Sequence, residues 1–384
     1  MTFEFATASR IIFGAGELSR LGSLAKEHGS NALLMTGKSQ ERAEAAIQQL
    51  QQTSISYTIF SIPQEPTVQL VENAVNKARE KKCDMVISMG GGSVIDAGKA
   101  VAGLIANPGE VLDYLEVIGT GKPITEKPYP FIAIPTTAGT GAEVTKNAVL
   151  KSTEHNVKVS LRHNLMIPDI ALVDPELTYS MPADVTASTG LDALTQLIEP
   201  FVSHKATPLT DGVCREGLFR AASSLSLAYH DGSNRAARED MAIASLFGGL
   251  ALANAKLGAV HGFAGPLGGM LDAPHGVICA RLLPFVIETN LKALQERAPD
   301  SPALRRYHIL TPMLTKDPLA SLEDGINWLK KLCDELNIPS LHQYGMQEKD
   351  IPSAVDKAQK SSSMKGNPIE LTKDELTTIL KKAL

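Results

Sequence analysis

The chain has 384 residues, with 37 Lys and Arg against 42 Asp and Glu, a formal charge of -5 at pH 7, 43% hydrophobic and 21% charged residues. At about 150 residues per domain this predicts two or three domains with ample core. An ordinary apolar fraction excludes extensive disorder, and the lack of any basic run excludes an electrostatic nucleic-acid binder. Cys83, Cys214, Cys279 and Cys333 make no CxxC pair and no disulfide-type spacing, which fits a reducing, cytoplasmic compartment. The start, MTFEFATASR, has no basic region followed by an apolar stretch, so no secretory signal is expected. The longest apolar run, residues 241–255, is shorter than the about 20 residues of a membrane span, and no membrane association is expected.

In chain order, residues 31–36 (NALLMT) read as a buried strand and 40–52 as a helix-period segment. Residues 57–62 are a second strand, 68–82 a helix, 84–89 (DMVISM) a third strand and 131–135 (FIAIP) a fourth. Strands alternating with helices predict a parallel sheet covered on both faces. At 174–182 (DPELTYSMP) two prolines punctuate the chain and the texture changes. Beyond it, residues 187–203, 208–227, 238–256, 319–336 and 373–384 read as helices, with almost no strand-like run. The predicted architecture is an α/β domain over residues 1–182 and an all-helical domain over 183–384.

The strand DMVISM runs straight into Gly90, Gly91, Gly92 and Ser93 and then into a helix. Glycines let a ligand approach the backbone, and free N–H groups at a helix start attract phosphate. Ser93 suits either a helix cap or a donor to a phosphate oxygen. The turn taken alone is equally a tight strand–helix connection that binds nothing, and neither G-x-G-x-x-G nor G-x-x-x-x-G-K-[ST] occurs in the chain. A second polar cluster, TTAGTGAEVT (136–145), follows the strand FIAIP. The carboxyl ends of strands are where open α/β sheets bind ligands, so the two loops together point to one dinucleotide.

His261, in GAVHGFAGPLGG, and His275, in APHGVICARLLP, are bracketed by glycine and apolar residues, unlike the seven other histidines, which are expected at the surface. Asp192 stands in the apolar segment TGLDALTQLIEPF, inside a helix that Thr189 or Ser188 is expected to cap, with Gln196 one turn on. A buried carboxylate needs a partner. One carboxylate and two imidazoles make a three-ligand metal set with an open position; taken singly, each residue is read more simply as structural.

These motifs resemble those of the iron-containing (group III) alcohol dehydrogenases. The likeness is carried by GGGSVIDAGKA (90–100), IPTTAGTGAEVT (134–145), DPELTYSMP (174–182), TGLDALTQLIEPFVS (189–203) and VHGFAGPLGG…PHG (260–276), in family order across most of residues 11–290. The resemblance implies a dehydroquinate-synthase-like fold: an α/β, Rossmann-like N-terminal domain plus an all-helical C-terminal domain. It implies hydride transfer between an alcohol and an aldehyde or ketone, a nicotinamide cofactor, a divalent metal (Fe2+ or Zn2+), and a homodimer or larger assembly. Gly91, Gly92 and Ser93 match pyrophosphate contacts; Thr136, Thr137, Thr145, Asn147 and Lys158 match other cofactor contacts. Asp192, His261 and His275 match metal ligands and so the catalytic centre.

Three positions depart from the pattern. The fourth ligand, a histidine in the iron enzymes, is Gln196 here, and a neutral amide is a poorer ligand than imidazole. Gly265 stands where many relatives carry a histidine suited to proton transfer. Gly37 ends the strand NALLMT where NAD-preferring relatives carry Asp, and Lys38, Ser39 and Arg42 follow, so NADP(H) is expected over NAD(H). Gln196 keeps open a metal-independent reductase resembling the maleylacetate reductases. A lyase like dehydroquinate synthase is the more distant alternative.

Overall fold

Eight strands occur among residues 2–155 and 157–384, the residues that the computed structural model describes: β1 (Arg10–Phe13), β2 (Asn31–Thr36), β3 (Ser56–Ser61), β4 (Met85–Gly90), β5 (Phe131–Pro135), β6 (Asn147–Ser152), β7 (Val157–Arg162) and β8 (Ile170–Val173). Six of them form one sheet in the order β1-β8-β5-β4-β2-β3, parallel throughout. The remaining two, β6 and β7, pair as an antiparallel hairpin. Helices α1 (Leu21–Lys26), α2 (Glu44–Gln52), α3 (Val68–Glu80) and α4 (Gly92–Ile105) accompany the sheet.

The apolar runs of β2 and β4 are continuous because both faces are covered. Leu33, Met35 and Val86 join Val71, Ala74, Ile95 and Val101 of α3 and α4 in one core. Their neighbours Ala32, Leu34, Met85 and Ile87 join Leu21, Leu24, Ala46 and Leu50 of α1 and α2 in another. The alternation follows the two-residue period of a strand. Each fully buried side chain of this size contributes about 1.5–3 kcal/mol. The chain leaves β2 for β3 on one side and returns to β4 on the other, so the topological switch point lies between the carboxyl ends of β2 and β4.

Several expectations need correction. The segment 40–52 divides into a 3-10 turn, Gln40–Ala43, and α2. Ser93 does not cap α4: Gly91 holds the cap position and no side chain caps it. The short strands β1 and β8 and the charged hairpin β6–β7 carry no apolar run long enough to announce them.

Residues 7–137 and 141–179 make up this α/β unit, and residues 1–6, 138–140 and 180–384 make up a second one. The second holds α5 (Ala183–Val202), α6 (Pro208–His230), α7 (Arg235–Ala255), α8 (Ala259–Met270), α9 (His275–Arg297), α10 (Pro302–Thr315), α11 (Leu322–Glu335), α12 (Ile351–Lys360) and α13 (Lys373–Ala383). Capping boxes start α6 at Thr207, α11 at Ser321 and α13 at Thr372. Thr189 and Ser188 do not cap α5, which begins a full turn earlier, after Pro182. Their hydroxyls instead bond back to Val185 O (2.7 Å) and Asp184 O (3.0 Å), the usual recourse of a hydroxyl inside a helix. The segment read as 319–336 begins only at Leu322, and Leu319 is exposed. His261 comes after the apolar helix α7 and sits inside α8, which meets α7 at a 100° bend. Among the described residues no single helix is long and apolar enough to cross a membrane.

Candidate dinucleotide turns and metal centre

In the α/β unit, the residues expected to bind cofactor gather mostly at the carboxyl ends of β2, β4 and β5. Gly37 follows β2, and a Cβ added there would meet nothing within 4 Å. Its carbonyl accepts from Ser61 Oγ (3.0 Å) and Thr36 Oγ1 (3.3 Å), which fixes the turn while Lys38 and Ser39 stay exposed. Gly91 and Gly92 open α4 with no side chain hydrogen-bonded to its cap, and Ser93 lies in its first turn. These are the conditions under which helix N–H groups hold an anion. A Cβ on Gly91 would come within 3.3 Å of Thr137 Cγ2, so the turns after β4 and β5 touch, and Thr136 N–H donates to Gly90 O (3.0 Å).

Two expected contacts have other partners, and a third, Asn147, lies on the hairpin. Thr145 is buried and its hydroxyl accepts from Lys99 Nζ (2.9 Å). Lys158 lies on the same hairpin, ion-paired with Glu65 at 2.5 Å. Lys99, also buried, pairs with Asp96 at 3.0 Å and donates to Ala142 O at 3.0 Å. The Glu143 carboxyl beside it is pushed up to about 7, since burial raises it more than its own backbone hydrogen bond and the Lys99 charge lower it.

In the helical unit, three helices converge. Asp192 and Gln196 come from α5, His261 from α8, His275 from the first residue of α9. His261 Nε2 lies 3.3 Å and His275 Nε2 4.0 Å from Asp192 Oδ1. The Asp192 side chain is 2% exposed, and Oδ1 has no hydrogen-bond partner. Gln196 Oε1 is likewise buried and unpartnered. Orphaned acceptors beside two ring nitrogens fit a cation-binding site better than a packed core.

Two further residues complete the arrangement, and neither was anticipated. Glu199, two turns after Asp192 on α5, takes the Val260 N–H on Oε1 (2.7 Å) and His261 Nδ1 on Oε2 (2.7 Å). With Nδ1 held there, His261 turns Nε2 toward Asp192, the nitrogen that would be left free for a cation once its proton is displaced. Cys279, one turn after His275 on α9, brings Sγ to 3.6 Å from His275 Nε2 and 3.8 Å from His261 Nε2. The ligand atoms of Asp192, His261, His275 and Cys279 all lie within 4.8 Å of one another. Burial pushes the Asp192 carboxyl up, but the His261 ring and the His275 charge hold it below its ordinary value. Burial pulls His261 down, yet Cys279, Asp192 and Glu199 drive it well above the usual imidazole range. His275 is raised by Cys279 and, against burial, by Asp192.

Glycine turns at the switch point of a doubly wound sheet suit a dinucleotide, and a buried carboxylate–imidazole cluster suits a metal ion, the two requirements of a metal-dependent, dinucleotide-linked oxidoreductase. Comparison with known proteins is specific. Residues 8–175 match the iron-containing alcohol dehydrogenase family, and residues 186–384 match the C-terminal part of the Fe-containing alcohol dehydrogenase family. The 1,3-propanediol dehydrogenase of Klebsiella pneumoniae is 33% identical over 99% of this chain and 98% of its own length. The NAD-dependent methanol dehydrogenase of Bacillus methanolicus is 32% identical over 100% of both chains. A crystal structure of a 1,3-propanediol oxidoreductase superposes with a TM-score of 0.92 at 31% identity, covering 100% of both chains. The chain belongs to the iron-containing alcohol dehydrogenase family. It is an enzyme, an oxidoreductase that interconverts alcohols with aldehydes or ketones, in a family that works with a divalent metal and a nicotinamide cofactor.

Proposed function

We propose that this enzyme uses NADP(H) in preference to NAD(H), and that Asp192, His261 and His275 hold its divalent cation, Fe2+ or Zn2+. Cofactor binding falls to residues 1–182, through Gly37, Lys38, Ser39, Gly91, Gly92, Ser93, Thr136 and Thr137, with Thr145, Asn147 and Lys158 as supporting contacts. Metal and substrate fall to residues 183–384, with Gln196 as a weaker neutral donor. The reading includes a homodimer or larger assembly, on the family resemblance. It also includes a cytoplasmic setting, in keeping with four buried, unpaired cysteines.

The observation that carries the metal assignment is the buried Asp192 Oδ1, without a hydrogen-bond partner and 3.3 Å from His261 Nε2. A bound cation supplies Lewis-acid polarisation, an effect that lowers the pKa of water by about 9 units, or about 12 kcal/mol, against about 3–5 kcal/mol from a general base. Glu199 holds the His261 tautomer, and Asp192 supplies the negative charge. No imidazole stands at position 265, so a substrate proton leaves through solvent rather than through a side chain there. Chelation is expected to abolish turnover of a panel of alcohols and aldehydes, and added Fe2+ or Zn2+ to restore it. Full turnover in a metal-free sample would replace this reading with metal-independent reduction.

The cofactor assignment rests on the uncharged, open position at Gly37, followed by Lys38, Ser39 and Arg42. Gly37 places no carboxylate at the strand end itself, and the acidic residue of this turn, Glu41, comes only in the 3-10 turn that follows. The kcat/KM ratio is expected to favour NADPH. Gly37→Asp, for which there is space, is expected to shift that ratio toward NADH by about 10–100-fold, the worth of one charged hydrogen bond. A wild-type enzyme that prefers NADH would overturn the assignment.

A further inference from the structure

Cys279 is one helical turn from His275, so both side chains leave the same face of α9. A tetrahedral ion, with metal–nitrogen bonds of about 2.0–2.1 Å and a metal–sulfur bond of about 2.3 Å, sets its N and O ligands about 3.3 Å apart and its S and N ligands about 3.6 Å apart. The separations match: 3.3 Å from His261 Nε2 to Asp192 Oδ1, and 3.6 and 3.8 Å from Cys279 Sγ to the two imidazoles. The longer distance, 4.0 Å from His275 Nε2 to Asp192 Oδ1, involves the ring freest to turn, since the His275 side chain is 41% exposed.

We propose that Cys279 is the fourth protein ligand of the cation held by Asp192, His261 and His275, and that its thiolate biases this centre toward thiophilic ions such as Zn2+ and Co2+. The inference rests on the metal assignment above and deepens it. Direct charge favours sulfur over the Gln196 amide. A thiolate would put a second negative ligand beside Asp192 on the dication itself, whereas Gln196 is neutral and the Glu199 charge reaches the centre only through the His261 ring. Thiolate also selects softer ions, which oxygen donors do not. On coordination Sγ forms the bond to the cation, the thiol proton passes to solvent, and no electron is transferred. With these four residues as donors the set would be closed, and a substrate oxygen would need a fifth position, which zinc allows.

The test uses the full-length protein, stripped of metal and reloaded with Co2+, with bound cobalt counted by elemental analysis. The wild type with one equivalent bound is expected to show a near-ultraviolet thiolate-to-cobalt charge-transfer band. Cys279→Ser is expected to lose that band and to bind Zn2+ at least about tenfold more weakly, while Gln196→Ala keeps the band. Cobalt bound by the wild type without the band, or a band that survives in Cys279→Ser, overturns the role of sulfur and leaves the metal assignment standing. A wild type that binds no cobalt overturns the metal assignment itself, and this inference with it. Zinc-edge X-ray absorption of the wild type is independent of any variant's folding. A sulfur shell at about 2.3 Å is expected, and a shell of N and O alone overturns the proposal.

Discussion

Asp192 is a carboxylate among apolar neighbours, and its ionised form there depends on the two imidazoles beside it. The same charges set the terms of metal binding. In the metal-free enzyme His261 and His275 are raised and hold protons that a cation must displace. Apparent Zn2+ affinity should therefore fall in acid and rise with pH, by up to about tenfold per pH unit for each proton displaced, until the rings are neutral. Competition with a chromophoric chelator across that range checks it, and a flat profile would mean that the rings are not ligands. Glu199→Gln should weaken metal binding by about 10–100-fold while far-ultraviolet dichroism stays unchanged, because it loosens the hold on His261 without removing a ligand. Asp192, His261 and His275 stand out in the sequence as polar residues in apolar or glycine-rich segments, but only the family resemblance joins them into one ligand set. Glu199 and Cys279 do not stand out. Glu199 matters only once α8 is known to bring Val260 and His261 to it, and Cys279 reads as an ordinary small buried residue until α9 is seen to start at His275.

At the scale of elements, β2, β4 and β5 were read because a covered parallel sheet writes itself as unbroken apolar runs. The strands β1 and β8 are four residues each, too short for a period to show, and the hairpin is too charged. The glycines of α4 divide into two roles. Gly91 leaves the helix start open, whereas Gly98 lets the helix lie against the sheet, since a Cβ there would overlap the Ser88 hydroxyl and the Phe131 ring. Gly98→Ala should cost about 1–3 kcal/mol as overpacking and lower the melting temperature without altering the cofactor turns directly. The 3-10 turn that follows β5 carries a second test. Glu143 titrates at about 7 when folded, against an ordinary 4.5. The unfolded chain gives up this proton first, so the stability that the neutral form provides is full below about pH 4.5 and is lost as pH rises through about 7. At about 1.36 kcal/mol per unit the loss comes to about 3 kcal/mol. Glu143→Gln, neutral in both states, should gain on the wild type by up to that amount between the two ends of the window. Urea unfolding at each end measures it, and an equal difference at both would mean that Glu143 is already ionised in the fold.

For the whole molecule, the change of texture near residues 174–182 marks where strand-bearing sequence gives way to helices, yet composition alone did not anticipate that residues 1–6 and 138–140 group with the helices. Gly139 has a packing reason: its bare backbone lies against Thr189 of α5, where a Cβ would come within 2.6 Å of the threonine Cβ. The loop after β5 thus supplies Thr136 and Thr137 to the α/β unit and Ala138–Thr140 to the helical one. If the two ligands are divided between the units as proposed, each should stabilise a different part of the chain. Zn2+ at about 100 times its dissociation constant adds about 2.7 kcal/mol to whatever unfolds only when the metal leaves, about a hundredfold in the exchange rate of its slowest amides. Hydrogen exchange should therefore slow with Zn2+ in α5, α8 and α9. With NADPH it should slow in the turns after β2, β4 and β5. Zn2+ protection concentrated in the sheet turns, or NADPH protection confined to α8 and α9, would break the assignment of one ligand to each unit even if both bind and turnover is normal.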